Sequence, residues 1–161
     1  HGASVISMDI SRTRLARLKE NARRLRMKIN VVEQDATQYN SDLGLFDLVL
    51  LDAPCSGLGV IRKHPEVRWN RSIVDVKSNV ILQKSLLQTA SKYVKDGGVL
   101  GYCVCSLHPE EGVGVVQHFL DRNPTWTIMK TWTTPVDSKH IEKELLDGFQ
   151  LYILRSTNNP Q

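Results

Sequence analysis

Short apolar runs alternate along this chain with longer stretches of helical periodicity. Val5-Ile6-Ser7-Met8 reads as a strand that ends at Asp9. Across residues 11–27, Leu15, Leu18, Ala22 and Leu25 recur at spacings of 3, 4 and 3, which builds one helical face, and Ser11 stands where an N-cap belongs. Ile29 to Glu33 and Phe46 to Leu51 predict two further strands. The second is nearly continuous in apolar residues, as in parallel strands covered on both faces. Residues 53–70 lose all periodicity and hold two prolines and two glycines, the composition of a functional loop. A long helix over 72–95 follows, with Leu82, Leu86, Leu87, Ala90 and Val94 inward and Asp96-Gly97-Gly98 as its stop. Val99 to Val104 predicts a strand, Glu110 to Arg122 a helix, and Trp126 to Met129 another strand. Residues 133–147 read as irregular, Phe149 to Leu154 as the last strand, and 156–161 as a frayed tail.

Strands that alternate with helices predict a doubly wound α/β sheet. No repeat or composition shift divides the chain, so residues 1–155 are expected to form a single domain. With 161 residues, 41% hydrophobic and 24% charged, the chain can bury a core of its own. No apolar run approaches the roughly 20 residues of a membrane helix. Three cysteines do not make a disulfide framework in a chain this long, which points to a reducing compartment and a cytoplasmic protein. The net charge of +4 only mildly favours an anionic partner.

The chemistry concentrates in two stretches, Leu51-Asp52-Ala53-Pro54-Cys55-Ser56-Gly57 and Val104-Cys105-Ser106-Leu107-His108-Pro109-Glu110-Glu111. Each sets a cysteine just past a buried strand, at the carboxyl edge where open α/β sheets gather ligands. The residues by themselves leave bland alternatives open: a buried structural cysteine, or an aspartate bonded to loop amides. Cys103-x-Cys105-x-x-His108 with Cys55 offers four potential metal ligands. The spacing is not that of a zinc pair, and Cys103 would lie within a strand, so no metal is expected.

Asp52-Ala53-Pro54-Cys55-Ser56-Gly57, followed by Gly59-Val60-Ile61-Arg62-Lys63-His64-Pro65 and Trp69, resembles one signature of the RNA cytosine-C5 methyltransferases of the Nol1/Nop2/Sun family. Gly97-Gly98 with Cys105-Ser106-Leu107-His108-Pro109-Glu110-Glu111 resembles the second, and Asp147-Gly148-Phe149 the entry to the family's last strand. The similarity runs from about Asp9 to Leu154, and the Arg-Lys-His-Pro loop is most like the bacterial branch that modifies small-subunit ribosomal RNA. Three positions depart from the family's usual residues. Val104 stands for Thr, Gly112 for Asn after the Glu-Glu pair, and Gln150 for an aromatic after Phe149.

The resemblance implies a Rossmann-like sheet that uses S-adenosylmethionine. It also expects a strand and a glycine-rich cofactor loop ahead of the segment matching Val5 to Asp9, so that the chain would start inside its cofactor site. It assigns Cys105 as the nucleophile, Cys55 to product release and Asp52 to the cytosine ring, where Asp52 also adjoins the cofactor. Asp9 is expected on the ribose and Asp35 near the adenine. Arg62, Lys63, His64 and Arg68, next to the cysteine loop, become the candidates for RNA phosphates. The basic residues that crowd 12–28 read as a solvated face. Two rivals remain at this stage. One is an inactive RNA-binding fragment; the other is a cysteine hydrolase using His64 or His108. Neither accounts for both cysteine signatures.

Overall fold

A computed structural model describes residues 2–70, 72–134 and 147–156. The chain divides into two compact units, His1–Asn40 and Ser41–Gln161.

In the first unit, β1 (Ile6–Asp9) and β2 (Asn30–Glu33) pair in parallel, with Asp9 opposite Glu33. They are joined by α1 (Arg12–Arg24), whose N-cap Ser11 accepts from the Arg14 amide. Leu15 and Ala22 are buried as the periodicity predicts, but Leu25 is exposed. The helix stops before 27 because Arg26 turns left-handed, at φ 54°. The Met27 amide then donates to the Ala22 carbonyl and the Arg26 amide to Arg23, closing a Schellman motif. Glycine is the usual residue at that turn, and its absence hides the stop from the sequence.

The second unit holds β3 (Phe46–Asp52), a single helical turn α2 (Val67–Asn70), α3 (Ile73–Ser91), β4 (Val94–Val104), α4 (Val113–Arg122), β5 (Trp126–Thr134) and β6 (Phe149–Ser156). Its strands lie in the order β3-β4-β6-β5. β3 and β4 are parallel, whereas β6 runs antiparallel to both β4 and β5. The fold is therefore α/β with a mixed sheet. Leu100, Tyr102 and Val104 alternate onto one face of β4, as strand geometry requires. They pack there with Leu87 and Ala90 of α3 and with Val115, Val116 and Phe119 of α4. Ser72 and Asp75 form a reciprocal capping box that starts α3.

Four expectations need correction. The helix over 72–95 ends at Ser91, so Val94 belongs to β4 and Leu82 is exposed. Asp96-Gly97-Gly98 lies inside β4 at an irregularity where pairing jumps from Phe46↔Val94 to Leu48↔Val99. Gly97 takes φ +71° there, and a Cβ at Gly98 would overlap Lys95 and Val94. The glycines serve a strand bulge rather than a helix cap. On β3, Leu48 and Leu50 are 62% and 66% exposed, so this apolar run is not covered on both faces. Lastly, α4 begins at Val113 because Glu110 and Glu111 form the turn before it. The irregular stretch and the tail largely coincide with 135–146 and 157–161, outside the described residues. Among the described residues no helix is long and apolar enough to cross a membrane.

Candidate active site

Parallel pairing of β3 and β4 sets Asp52 opposite Cys103. The chain leaving each strand then brings its cysteine to the same edge. Cys55 Sγ lies 3.1 Å from Cys105 Sγ, both half-buried and neither in a disulfide. Two sulfurs this close cannot both ionise without strong repulsion, so at least one of them keeps its proton. The Cys55 thiol donating to its sulfur pulls the Cys105 pKa down to about 7, against the opposing effects of burial and of the Asp52 and Glu111 charges. Cys55 is driven up by the same hydrogen bond and by burial, and stays protonated. The hydrogen bond thus favours the thiolate at Cys105 and the thiol at Cys55. Cys103 is different: burial first, then Asp52, push it up to about 12. Its thiol faces the Leu51 carbonyl at 3.5 Å and the Asp52 carboxylate at 3.7 Å, which marks a neutral structural cysteine beside Asp52.

The serines that follow the cysteines are paired as well. Ser56 Oγ and Ser106 Oγ are 3.2 Å apart, and both residues are fully buried. Behind them lies Glu111, also fully buried. Its Oε1 accepts from the Ser56 amide at 2.7 Å, Asn79 Nδ2 at 3.3 Å and Gln83 Nε2 at 3.4 Å, and its Oε2 accepts from the Ser56 hydroxyl at 2.5 Å. An unpaired carboxylate in such a place would cost several kcal/mol, roughly what a set of charge-assisted hydrogen bonds can offset. Gln83 also donates to the Pro54 carbonyl at 2.8 Å, while its own buried Oε1 finds no partner among the described residues. Its donors are satisfied at the expense of its acceptor.

Beyond Cys55 the loop is stapled down. The Gly59 amide donates to the Cys105 carbonyl at 3.1 Å and the Gly148 amide to Gly59 at 2.6 Å, backbones so close that a Cβ on either glycine would overlap its neighbours. Arg62 and Lys63 both reach Asp147, at 3.3 and 2.5 Å, and His64 pairs with Glu66 at 3.2 Å. These cations, singled out as phosphate ligands, therefore carry protein partners here. The Arg68 side chain lies outside the described residues. In the first unit, Asp9 accepts from Arg14 Nε and Nη2 and from the Ser11 amide, each at 2.7 Å, and the Arg14 hydrogen bonds hold its carboxyl below the usual range. Asp35 accepts from the Thr37 amide and hydroxyl, which lower it likewise. Among the described residues no group of three or more His, Cys, Asp or Glu is placed to hold a metal ion.

Sequence reasoning assigned no role to Glu111, Ser56, Ser106, Gln83 or Asp147. A signal for the serines was present: Cys-Ser occurs at the end of both strands. Two of the departures from the family's usual residues also meet in space. The Gln150 amide packs over Gly112, donates to the Ser106 carbonyl at 2.7 Å and accepts from the Tyr152 hydroxyl at 2.8 Å. A Cβ at residue 112 would overlap that amide, which two hydrogen bonds hold in place. Gly112→Ala is therefore expected to cost about 1–3 kcal/mol in chemical denaturation. Adding Gln150→Ala should cost less than the sum of the two single changes; strict additivity would refute the contact.

The 16S rRNA methyltransferase RsmB/F family profile matches residues 1–159. Ribosomal RNA small subunit methyltransferase B of Pectobacterium atrosepticum is 39% identical over 149 residues, covering 90% of this chain and 35% of that protein. The enzyme of the same name from Pasteurella multocida is 40% identical over 128 residues, 75% of this chain and 29% of its own length. The chain thus spans about a third of the length of these curated relatives. Among solved structures, PH0851 superposes with a TM-score of 0.86 at 30% identity, covering 96% of this chain and 37% of that one. NSun6 from Pyrococcus horikoshii with SFG gives 0.83 at 27%, covering 98% and 42%. With the profile running nearly end to end and a mixed α/β sheet shared with these structures, the chain belongs to the 16S rRNA methyltransferase RsmB/F family.

Proposed function

We propose that this chain carries the catalytic centre of an enzyme that methylates carbon 5 of a cytosine in ribosomal RNA, in the cytoplasm. The observation that carries the reading is the pair of sulfurs 3.1 Å apart at the ends of neighbouring parallel strands, and the downward pull of the Cys55 hydrogen bond on the Cys105 pKa supports it. Carbon 5 of cytosine is a poor nucleophile. When the Cys105 thiolate forms a bond to carbon 6 and Asp52 supports protonation of the ring nitrogen, the ring becomes enamine-like and carbon 5 can attack a methyl group. S-adenosylmethionine, when bound, supplies that methyl as an electrophile. Loss of the carbon-5 proton to a base then restores the 5,6 double bond and expels the Cys105 thiolate, and the ring nitrogen gives its added proton back. Cys55, next to the reacting sulfur, takes part in that release. The target base must leave its stack to reach Cys105.

Asp9 and Asp35 fit the cofactor's nucleoside in chemical type. Each is a carboxylate at or just past the carboxyl end of a parallel strand, and each is held ionised by its hydrogen bonds. An ionised carboxylate there can accept from ribose hydroxyls or from the adenine amine. Arg62, Lys63 and His64 bind RNA phosphates by exchanging their protein carboxylates for them, and Arg68 joins them, which makes RNA affinity fall with salt.

The test is labelled methyl transfer by the full-length protein to small-subunit ribosomal RNA, followed by nucleoside analysis. The label is expected in 5-methylcytidine. Label in any other nucleoside, or RNA that stays unmethylated by a protein shown to bind S-adenosylmethionine, overturns the proposal.

A further inference from the structure

We propose that Glu111 is a positioning residue that holds the Cys55 thiol against Cys105 through the serine beside each cysteine. The idea deepens the reading of Cys105 as nucleophile and rests on it. The hydrogen-bond directions follow from the atoms. Oε2 of Glu111 can only accept, so the Ser56 hydroxyl donates to it. Ser56 Oγ therefore accepts from the Ser106 hydroxyl, and Ser106 Oγ accepts in turn from the His108 amide at 3.1 Å. One carboxylate thus terminates a chain that ties the Cys55 loop to the Cys105 loop. Tyr102, fully buried on β4, pins the Glu111 main chain by donating to its carbonyl at 2.6 Å. Gln83 and Asn79 extend the same anchor to α3.

Glu111 points this charge at a site that needs an anionic sulfur, which is unfavourable for the thiolate on charge alone. Its negative charge raises the pKa of both Cys55 and Cys105. The gain is geometric: the loops are held so that the Cys55 thiol donates to Cys105, the largest influence on either sulfur. The two contributions have opposite signs, and this makes them separable. Among the described residues, the further titratable groups acting on Cys105 besides Cys55 and Glu111 are Asp52 at the end of β3 and Cys103 on β4. Tyr102 of β4 and Tyr152 of β6 also line this region, and burial keeps both neutral.

Glu111→Gln keeps the volume but cannot serve all the groups now aimed at the carboxylate. With its oxygen toward the Ser56, Asn79 and Gln83 N–H donors, its NH2 meets the Ser56 hydroxyl, which must turn from donor to acceptor and reverse the bond to Ser106, so the link loses its charged terminus. The experiment is alkylation by iodoacetamide of the full-length protein as a function of pH, read separately at Cys55, Cys103 and Cys105 by peptide mass spectrometry. Wild-type Cys105 is expected to react with a midpoint near 7. In Glu111→Gln the midpoint moves up toward the ordinary thiol value of about 8.5. Cys55→Ala moves it in the same direction, and adding Glu111→Gln to Cys55→Ala moves it no higher but slightly back down, because the hydrogen bond is already gone and only the Glu111 charge is left to remove. A midpoint that falls in Glu111→Gln assigns Glu111 a purely electrostatic role, and one that stays put makes it a packing residue; either overturns the proposal. Ser56→Ala, which cuts the hydroxyl link and leaves the carboxylate in place, is the second variant. It too must raise the midpoint, and an unchanged or lowered value counts against the idea. Alkylation needs neither cofactor nor RNA, so its outcome is independent of whether methyl transfer occurs.

Discussion

Cys105→Ala is expected to abolish methyl transfer by the full-length protein while leaving S-adenosylmethionine binding nearly intact. The Cys55 thiol, 3.1 Å away, favours ionisation of Cys105 and stabilises the anion that must add to the ring. Alanine removes the sulfur assigned to the bond with carbon 6, so carbon 5 is not activated by that route. Loss of a covalent route should cost far more than the ~1.4 kcal/mol that separates a tenfold change in rate. Incorporation of labelled methyl measures it, and activity at a tenth of wild type or above would exclude Cys105 as nucleophile. The sign of the pH dependence follows from the same group. The reactive form is the deprotonated one, so the rate of addition should rise with pH through about 7 and level off above it.

Cys55→Ala should instead trap the enzyme on its RNA. In the resting site the Cys55 thiol is held protonated, above all by its hydrogen bond to Cys105. Once Cys105 is bonded to carbon 6 it carries no charge, and that influence disappears. Cys55 then becomes easier to deprotonate at the stage when a base is required to take the carbon-5 proton. Without it, addition and methylation proceed, more slowly because Cys105 has lost its donor, but elimination stalls. The expected readout is a slow-migrating protein–RNA band on a denaturing gel that contains the transferred methyl. Normal turnover with no such band would remove Cys55 from the release step. The two cysteine variants thus diverge in kind: one should leave no adduct, the other an adduct that persists.

The elements of this chain were legible wherever their signal is local. The 3.6-residue spacing of Leu15, Leu18 and Ala22, the Ser11 cap, and the apolar runs of β3 and β4 each reflect the residue's own neighbours along the chain. The two Cys-Ser signatures were legible for the same reason, since each is a short contiguous motif after a strand. Where the sequence misled, a distant contact had overruled a local cue. Gly97-Gly98 looks like a helix stop, yet pairing with β3 recruits it into a bulge. Glu110-Glu111 looks like the acidic first turn of a helix, yet Ser56, 55 residues away, draws the second carboxylate out of solvent. Arg62 and Lys63 look like open phosphate ligands until Asp147 is seen between them.

The sequence by itself determined an α/β chain with two thiols at strand ends and the kinds of residues that would surround them. Only the tertiary structure decided that β6 returns antiparallel to β4, that the two sulfurs lie 3.1 Å apart, and that Gly112 and Gln150 fit one another. Periodicity and capping depend on side chains within a few residues. Strand direction, thiol ionisation and cavity fit depend instead on distances between segments far apart in the chain, and these exist only once the sheet has formed.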